Sequence, residues 1–268
     1  MIMPSLKGLE WTFDTVAEKY ERMRPGYVDE LYQEIFDYIP IDENSNVIEV
    51  GSGGGQATEP ILKTGCKVTA IEYGKEFSAL LQKKFRKYPK FEVITGKFEE
   101  AELQSNAFDL IFSASAFHWV PEDIGYQKVF DLLKNGGAFA RFANHPYQDK
   151  YHPELSEEID ILYDEYYCKY HNTTRKVLKE YTEAEARERA FLAKKYGLSD
   201  VKYSLFYRER VFSAREYVEL LGTYSDHIAM EESMRNEFFE RISNAIDKHG
   251  GSITICDTID LQLARKMV

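Results

Sequence analysis

The stretch Asn46-Val-Ile-Glu-Val-Gly-Ser-Gly-Gly-Gly55 (NVIEVGSGGG) sets a short β-rich run directly against a cluster of glycines. A glycine-rich turn between a strand and a helix lets backbone approach a ligand closely, with helix N–H groups pointing at it. The spacing separates the kinds of nucleotide site. A dinucleotide fingerprint wants glycines at the first, third and sixth positions. Counting from Gly51 and Gly53, the sixth position is Gln56, and Gly55 makes the pattern Gly-x-Gly-x-Gly instead. No Lys-Ser or Lys-Thr follows, which excludes a P-loop. Glu49 stands two residues before the first glycine, at the end of an otherwise apolar strand. A buried carboxylate is costly unless it is paired or bound to something.

Outward from this stretch the chain alternates. Upstream, Ala17, Tyr20 and Met23, and then Val28, Leu31, Ile35 and Phe36, recur at helical spacing on either side of Pro25-Gly26. Downstream, a helix is predicted from about Gln56 to Thr64, and Lys67 to Glu72 reads as a second strand. Phe77, Leu80, Leu81 and Phe85 mark one helix face. Phe91 to Thr95 and Phe108 to Ser113 read as the third and fourth strands. A helix through Val129, Leu132 and Leu133 is expected to end at Asn135-Gly136-Gly137, before a fifth strand from Ala138 to Ala143. Strands separated by single helices imply βαβ crossovers and a parallel sheet, hence an α/β, Rossmann-like fold with helices on both faces.

After His145 the alternation stops. Glu154 to Tyr196 reads as helices without strands, and Val201 to Val211 as a strand. Helices are predicted over Ala214–Leu221 and Glu231–Lys248, and a last strand over Ile253–Leu263. The expected organisation is N-terminal helices plus α/β core over 1–145, a helical insertion or lid over 146–200, and strands and helices completing the core over 201–268. The acidic run Glu154, Glu157, Glu158, Asp160, Asp164 and Glu165 reads as a solvated helix face.

The chain has 268 residues, 44% hydrophobic and 29% charged, enough to bury a core. Its 34 basic and 45 acidic residues give a net charge of −11, which argues against a nucleic-acid partner held by bulk electrostatics. Cys66, Cys168 and Cys256 are far apart and form no CxxC pair, so no disulfide framework or zinc site is expected, and a reducing cytoplasm is the default compartment. The first residues, MIMPSLKGLEW, hold no apolar leader core, and no stretch is long enough to span a bilayer.

Five ordered motifs carry a resemblance to the class I S-adenosylmethionine-dependent methyltransferases. They are the glycine stretch with Glu49, the strand-end acid Glu72, Phe108-Asp-Leu-Ile111, Leu133-Lys-Asn-Gly-Gly137 and Ala116-Phe-His-Trp119. With Tyr20-x-x-x-Arg24-Pro-Gly-Tyr27 they are most similar to the type 11 group that includes trans-aconitate methyltransferase-like proteins. The resemblance covers about residues 10–145 and continues more weakly through Thr223-Tyr-Ser225.

The resemblance implies S-adenosyl-L-methionine as cofactor and a set of residues to hold it. Gly51, Ser52, Gly53 and Gly55 would pass under the methionine moiety, and Glu49 would orient its amino group directly or through water. Glu72 would accept hydrogen bonds from both ribose hydroxyls. Tyr73 and Phe98 would flank the adenine. Many relatives carry an acid after the glycine matching Gly96; here that position is Lys97, and Glu99 is the candidate to replace it. Ser113 and Ala114 would lie beneath the sulfonium. Tyr20 belongs with the cofactor set, as does Arg24, which would bind either the methionine carboxylate or an acidic acceptor.

Methyl transfer from a sulfonium is an in-line displacement, so the protein mainly positions the acceptor and excludes water. Tyr20, Tyr27 and Trp119 are candidates to face the positive sulfur. His118, just past the fourth strand, is the candidate base, or else shapes the pocket. His145, Tyr147, Tyr224 and Ser225 are expected on the acceptor side. Asp109 reads as structural. No HExxH, paired-carboxylate or nucleophile-elbow pattern is present, which removes metallo-, glycoside- and serine-hydrolase readings; no metal is expected. The expected activity is methyl transfer to a small-molecule acceptor at an O, N or C atom, by a monomer or homodimer. The alternatives are a non-catalytic cofactor-binding protein and a methyltransferase acting on a macromolecule.

Overall fold

The computed structural model describes residues 17–175 and 177–267. The N-terminal MIMPSLKGLEW segment lies outside them. The strands are β1 (Asn46–Val50), β2 (Lys67–Glu72), β3 (Phe91–Thr95), β4 (Phe108–Ala114), β5 (Leu133–Tyr147), β6 (Leu198–Ser213) and β7 (Ser252–Lys266). The helices are α1 (Ala17–Met23), α2 (Asp29–Tyr38), α3 (Thr58–Leu62), α4 (Lys75–Lys84), α5 (Glu122–Leu132), α6 (Pro153–Leu162), α7 (Glu183–Phe191), α8 (Ala214–Leu221), α9 (Ser225–Ile228) and α10 (Glu232–Lys248).

The seven strands form one sheet in the order β3-β2-β1-β4-β5-β7-β6, and the pairings β3–β2, β2–β1, β1–β4 and β4–β5 are parallel. Burial explains the composition of each strand. Val47 to Val50 are all buried, because a central parallel strand is covered on both faces. β6, at the end of the order, alternates half-buried with exposed residues along its second half, as an edge strand does. Successive residues point to opposite faces, so the strands feed two apolar cores. Val47, Leu110, Phe112 and Ala140 join Leu31, Ile35, Ile61 and Leu81 in one. Ile48, Ile111 and Phe139 join Phe117, Tyr126 and Val129 in the other.

The strands and long helices lie close to where the sequence places them. β5 is the main departure. Asn135-Gly136-Gly137 does not end a helix before the strand but lies inside it: Leu133 already pairs with Phe108, and Ala138 pairs with Leu110. The intervening residues bulge, with Gly136 at φ +82°. A Cβ on Gly137 would meet the carbonyl oxygens of Lys134 and Phe108 at 2.9 Å, so this tight place needs a glycine. Asp109 is structural: it accepts from the Asn46 N–H at 2.8 Å and pairs with Lys134 at the bulge at 2.8 Å. The short helix α9 has no counterpart in the sequence reading.

The chain divides into two compact units. One comprises Pro25–Asn144, Tyr181–Phe206 and residues 259–267, and holds both cores described above. The other comprises, among the described residues, 17–24, His145–Glu180 and Tyr207–Thr258. Its core is built from Leu155, Ile159, Tyr163, Tyr217, Leu220, Phe238 and Ile242. The grouping differs from a lid over 146–200: α7 belongs to the α/β unit, while α8, α9 and α10 belong to the helical one.

Candidate functional site

Parallel register brings the carboxyl ends of β1, β2 and β4 to one edge, at the point where the strand order reverses between β1 and β4. Open α/β sheets bind ligands in the crevice at such a point. Glu49 is level with Ala70, and Glu72 lies two residues beyond Ala70, so both carboxyl groups share a sheet face.

The glycine loop is folded tightly over this edge. Gly51, Gly53 and Gly55 all have positive φ, at +71°, +51° and +74°. A Cβ on Gly51 would stand 2.4 Å from Ala116 Cβ, and one on Gly55 would stand 2.6 Å from the Phe85 ring. Loop and neighbours therefore meet at a distance that only glycine permits. Glu72 ties the loop down: its Oε2 accepts from Gly53 N–H at 2.7 Å and its Oε1 from Gly74 N–H at 2.9 Å. Lys84 donates to the Gly54 carbonyl at 2.8 Å.

Glu49 is fully buried at the strand end. Its Oε2 accepts from the Thr58 hydroxyl at 2.6 Å. Burial pushes this carboxyl up to about 7, against the pull of the Thr58 and Ser52 hydroxyls; Glu72 raises it further and Lys84 opposes. Ser52 is near enough to favour the charged form, yet neither Glu49 Oε1 nor Ser52 Oγ completes a hydrogen bond within the protein. A buried polar atom left so costs about 1–3 kcal/mol. Two such atoms beside a glycine cradle fit the amino end of an amino-acid-bearing ligand, which supplies N–H donors.

Around the rim the predicted residues fall out unequally. Tyr73 follows Glu72 and is 51% exposed, leaving a free aromatic face. Phe98 is 3% exposed, packed at 6.5 Å from Phe117 with Lys128 over its ring. Lys97 is exposed and lies 3.8 Å from Glu100, and Glu99 is half-buried beside it. Ser113 is wholly buried, and its hydroxyl donates to the Val50 carbonyl at 2.8 Å, joining the β4 and β1 ends. Ala114 packs against the first core.

Ser115 was not anticipated. Its φ of +55° is strained for a residue with a side chain, and such residues gather at functional sites. Its hydroxyl lies 2.8 Å from the Tyr27 hydroxyl and accepts from Asn144 N–H at 3.4 Å. The sequence holds no signal for this beyond the position after β4.

His118 sits in the turn Phe117–Trp119, its ring 4.8 Å from Trp119. Surrounding protein pushes its imidazole down to about 4, with help from the cations Arg189 and Arg141, although solvent at its exposed edge tempers the effect. A neutral imidazole can accept a proton.

The remaining predicted residues, Tyr20, Arg24, His145, Tyr147, Tyr224 and Ser225, belong to the helical unit. There Arg24 is engaged by its own unit: it donates to Thr223 Oγ1 at 2.9 Å and to the Thr223 carbonyl at 3.1 Å. Its guanidinium lies 4.0 Å over the Tyr224 ring and 4.9 Å over Tyr20. Ser225 is buried, and Lys150 lies over the Tyr147 ring at 5.5 Å.

A family model described as a methyltransferase domain matches residues 48–140, the segment from β1 into β5. An uncharacterized methyltransferase of Schizosaccharomyces pombe is 25% identical over 80% of this chain and 78% of its own. Among solved structures, a provisionally assigned type II methyltransferase of Anaeromyxobacter dehalogenans shares 18% identity with a TM-score of 0.64, covering 91% of this chain and 98% of its own. Phosphoethanolamine N-methyltransferase 2 of Haemonchus contortus, solved with phosphomonomethylethanolamine and S-adenosylhomocysteine, gives 15% identity and a TM-score of 0.57. That likeness covers 99% of this chain and 62% of the other. The fold is the Rossmann-like class I methyltransferase fold.

Proposed function

We propose that this protein, a methyltransferase by the domain it carries over residues 48–140, draws its methyl group from S-adenosyl-L-methionine and delivers it to a small-molecule acceptor. The observation that carries the reading is the Glu49 and Ser52 pair of unsatisfied buried oxygens beside the glycine cradle, with Glu72 one strand away. When bound, the cofactor supplies a methyl group already activated on a sulfonium.

The chain's own residues then bind and orient. Glu72 is already oriented by two backbone N–H groups, and a carboxylate with two oxygens suits the paired hydroxyls of a ribose. Tyr73 offers its open face to the adenine. Glu49 and Ser52 accept from the amino group. Ala114 ends β4 beneath the reacting centre with Ser115 just beyond it, and Tyr27, held by Ser115, offers its ring face to the positive sulfur. His118, kept neutral, takes the acceptor's proton where the acceptor has one to lose.

The small acceptor is supported by the net charge of −11, which repels polyanions, and by the type 11 motif set shared with trans-aconitate methyltransferase-like proteins. The three cysteines are buried free thiols, in keeping with a reducing, cytoplasmic setting, and among the described residues no helix is long and apolar enough to cross a membrane.

The test is to incubate the protein with S-adenosylmethionine labelled on its methyl group and a desalted-and-restored cell extract, then fractionate by size. Label in the metabolite fraction supports the reading. Label confined to RNA or protein replaces the acceptor class, and no transfer with tight cofactor binding leaves a binding protein without catalysis.

A further inference from the structure

Four buried side-chain polar atoms lack a hydrogen-bond partner among the described residues: Tyr32 Oη, Glu49 Oε1, Ser52 Oγ and Arg141 Nε. Arg141 is the one cation of the four, and neither the glycine cradle nor the proposed chemistry uses it. On β5 it stands level with Ser113 of β4, two residues beyond the pair Phe139 and Ile111. Its side chain therefore enters the core that those two share with Phe117 and Tyr126.

Among the described residues the one hydrogen bond of this guanidinium runs from Nη1 to the Tyr126 hydroxyl at 3.1 Å, and its Cζ lies 5.5 Å over the Phe117 ring. Asp260 of β7 is an acid that favours its charge, but that carboxylate accepts from the Tyr181 hydroxyl at 3.3 Å and from the Gln262 amide. A guanidinium has five N–H donors and no acceptor, and burying it without an anion to meet them is costly.

Beside Arg141 lies a cavity of about 10 Å³, room for one water-sized occupant. Ala190 and Ala193 wall it from α7 and the turn that follows, Gln262 and Ala264 from β7, and Tyr126 from α5. Arg189, one residue before Ala190, adds a second positive charge. Burial first and Arg189 second disfavour the charge on Arg141, and after burial the two arginines hold the His118 imidazole down. Solvent reaches part of Arg141 and more of His118, which leaves a way in, and all these residues belong to the α/β unit. A water in the cavity would meet the Nε hydrogen but leave two like charges together. An anion answers both.

We propose that Arg141, Arg189 and Gln262 form a site for one small anionic group, a carboxylate oxygen or a halide, beside the turn that holds His118 and apart from the cofactor's cradle. Two sources share that chemistry. A carboxylate carried by the acceptor rests on the proposed function above; a free ion does not.

The experiment is thermal unfolding of the ligand-free whole protein in sodium formate and in sodium bromide, with the bulkier methanesulfonate holding ionic strength constant. The melting temperature should rise and saturate with a millimolar-range midpoint, by about 3 °C at ten times Kd. Arg141→Gln should remove the saturable part, and Arg189→Gln should weaken Kd roughly tenfold. Responses that do not saturate, or that both variants share with wild type, overturn the proposal. Saturating S-adenosylhomocysteine should leave the formate midpoint in place; its abolition puts the anion in the cofactor's cradle and overturns the proposal too.

Where Arg141→Gln does not fold, wild-type crystals soaked in bromide give a second reading. An anomalous peak beside Arg141 Nε supports the site, and no peak there overturns it. A peak without saturable stabilisation in solution is an adventitious ion only and also overturns it. The source is read from methyl transfer in the labelled extract. Inhibition by formate that more extract relieves assigns the site to a carboxylate of the acceptor, and formate binding without inhibition assigns it to a free ion. Absence of any transfer overturns the proposed function and leaves the melting result standing.

Discussion

Glu72 is asked to do two things with one carboxylate. It fastens the glycine loop through Gly53 and Gly74, and in the proposed function it also receives the ribose. Replacement by Ala should therefore damage fold and binding together: a stability loss of about 2–4 kcal/mol in denaturant unfolding and at least a hundredfold weaker cofactor binding. Glu72→Gln, which keeps the shape, should recover most of the stability and little of the affinity. His118 gives a sharper test of chemistry. With its imidazole down to about 4, it is already neutral across the physiological range, so kcat at saturating cofactor should show no inflection near pH 6.5. His118→Gln should lower kcat by roughly a hundredfold if the acceptor must lose a proton, with KM little changed; an unaltered kcat makes His118 a wall of the pocket. Glu49 was legible because an acid in an otherwise apolar strand is anomalous, and Glu72 because it matches the strand-end acid of the family the chain resembles. Ser115 and Tyr32 were not. Serine beside Ser113 and one more tyrosine among 19 carry no local signal, and only the fold reveals the strained φ or the unsatisfied hydroxyl.

Among elements, the strands and crossover helices were readable because their periods are local properties of ten or so residues. The β5 bulge was not. A Gly-Gly after a helix reads as a stop, and only pairing with Phe108 and Leu110 turns it into a strand irregularity. Arg24 shows the same limit. Its sequence context suggested a ligand contact, while its bonds to Thr223 and stacking on Tyr224 link the segment after α1 to the α8–α9 connection. Arg24→Ala should cost about 1–3 kcal/mol in unfolding and raise amide exchange in α1 and α9. In the same unit α9 buries Asp226 and His227 against the π-helical stretch Tyr163–Cys168 that continues α6. His227 lies 2.9 Å from Asp226 and 3.0 Å from the Tyr163 hydroxyl, and Tyr167 donates to Asp226 at 2.8 Å. Burial alone would raise Asp226, but His227 and Tyr167 outweigh it and bring it down to about 2. A folded value below the unfolded one adds stability that is fully present above pH 3.8 and lost as pH falls through about 2. Acid unfolding of Asp226→Asn should lack that component.

For the whole molecule, the class of fold followed from alternation, whereas the strand order and the division into two units did not. Each unit gathers three separated stretches of chain, and contacts between distant stretches leave no trace in local composition. The charge of −11 was readable, and it makes a prediction at this scale: no retardation of structured RNA at about 50 mM salt, where phosphate contacts are strongest. Every assignment of a residue to the cofactor depends on the glycine loop with Glu49 and Glu72 binding S-adenosylmethionine. Equilibrium dialysis with the labelled cofactor, competed by S-adenosylhomocysteine and by NADH, measures that binding. Saturable micromolar-range binding displaced by S-adenosylhomocysteine, untouched by NADH and lost in Glu72→Ala is the predicted result. Displacement by NADH, or no saturable binding of the labelled cofactor to folded protein, would contradict it.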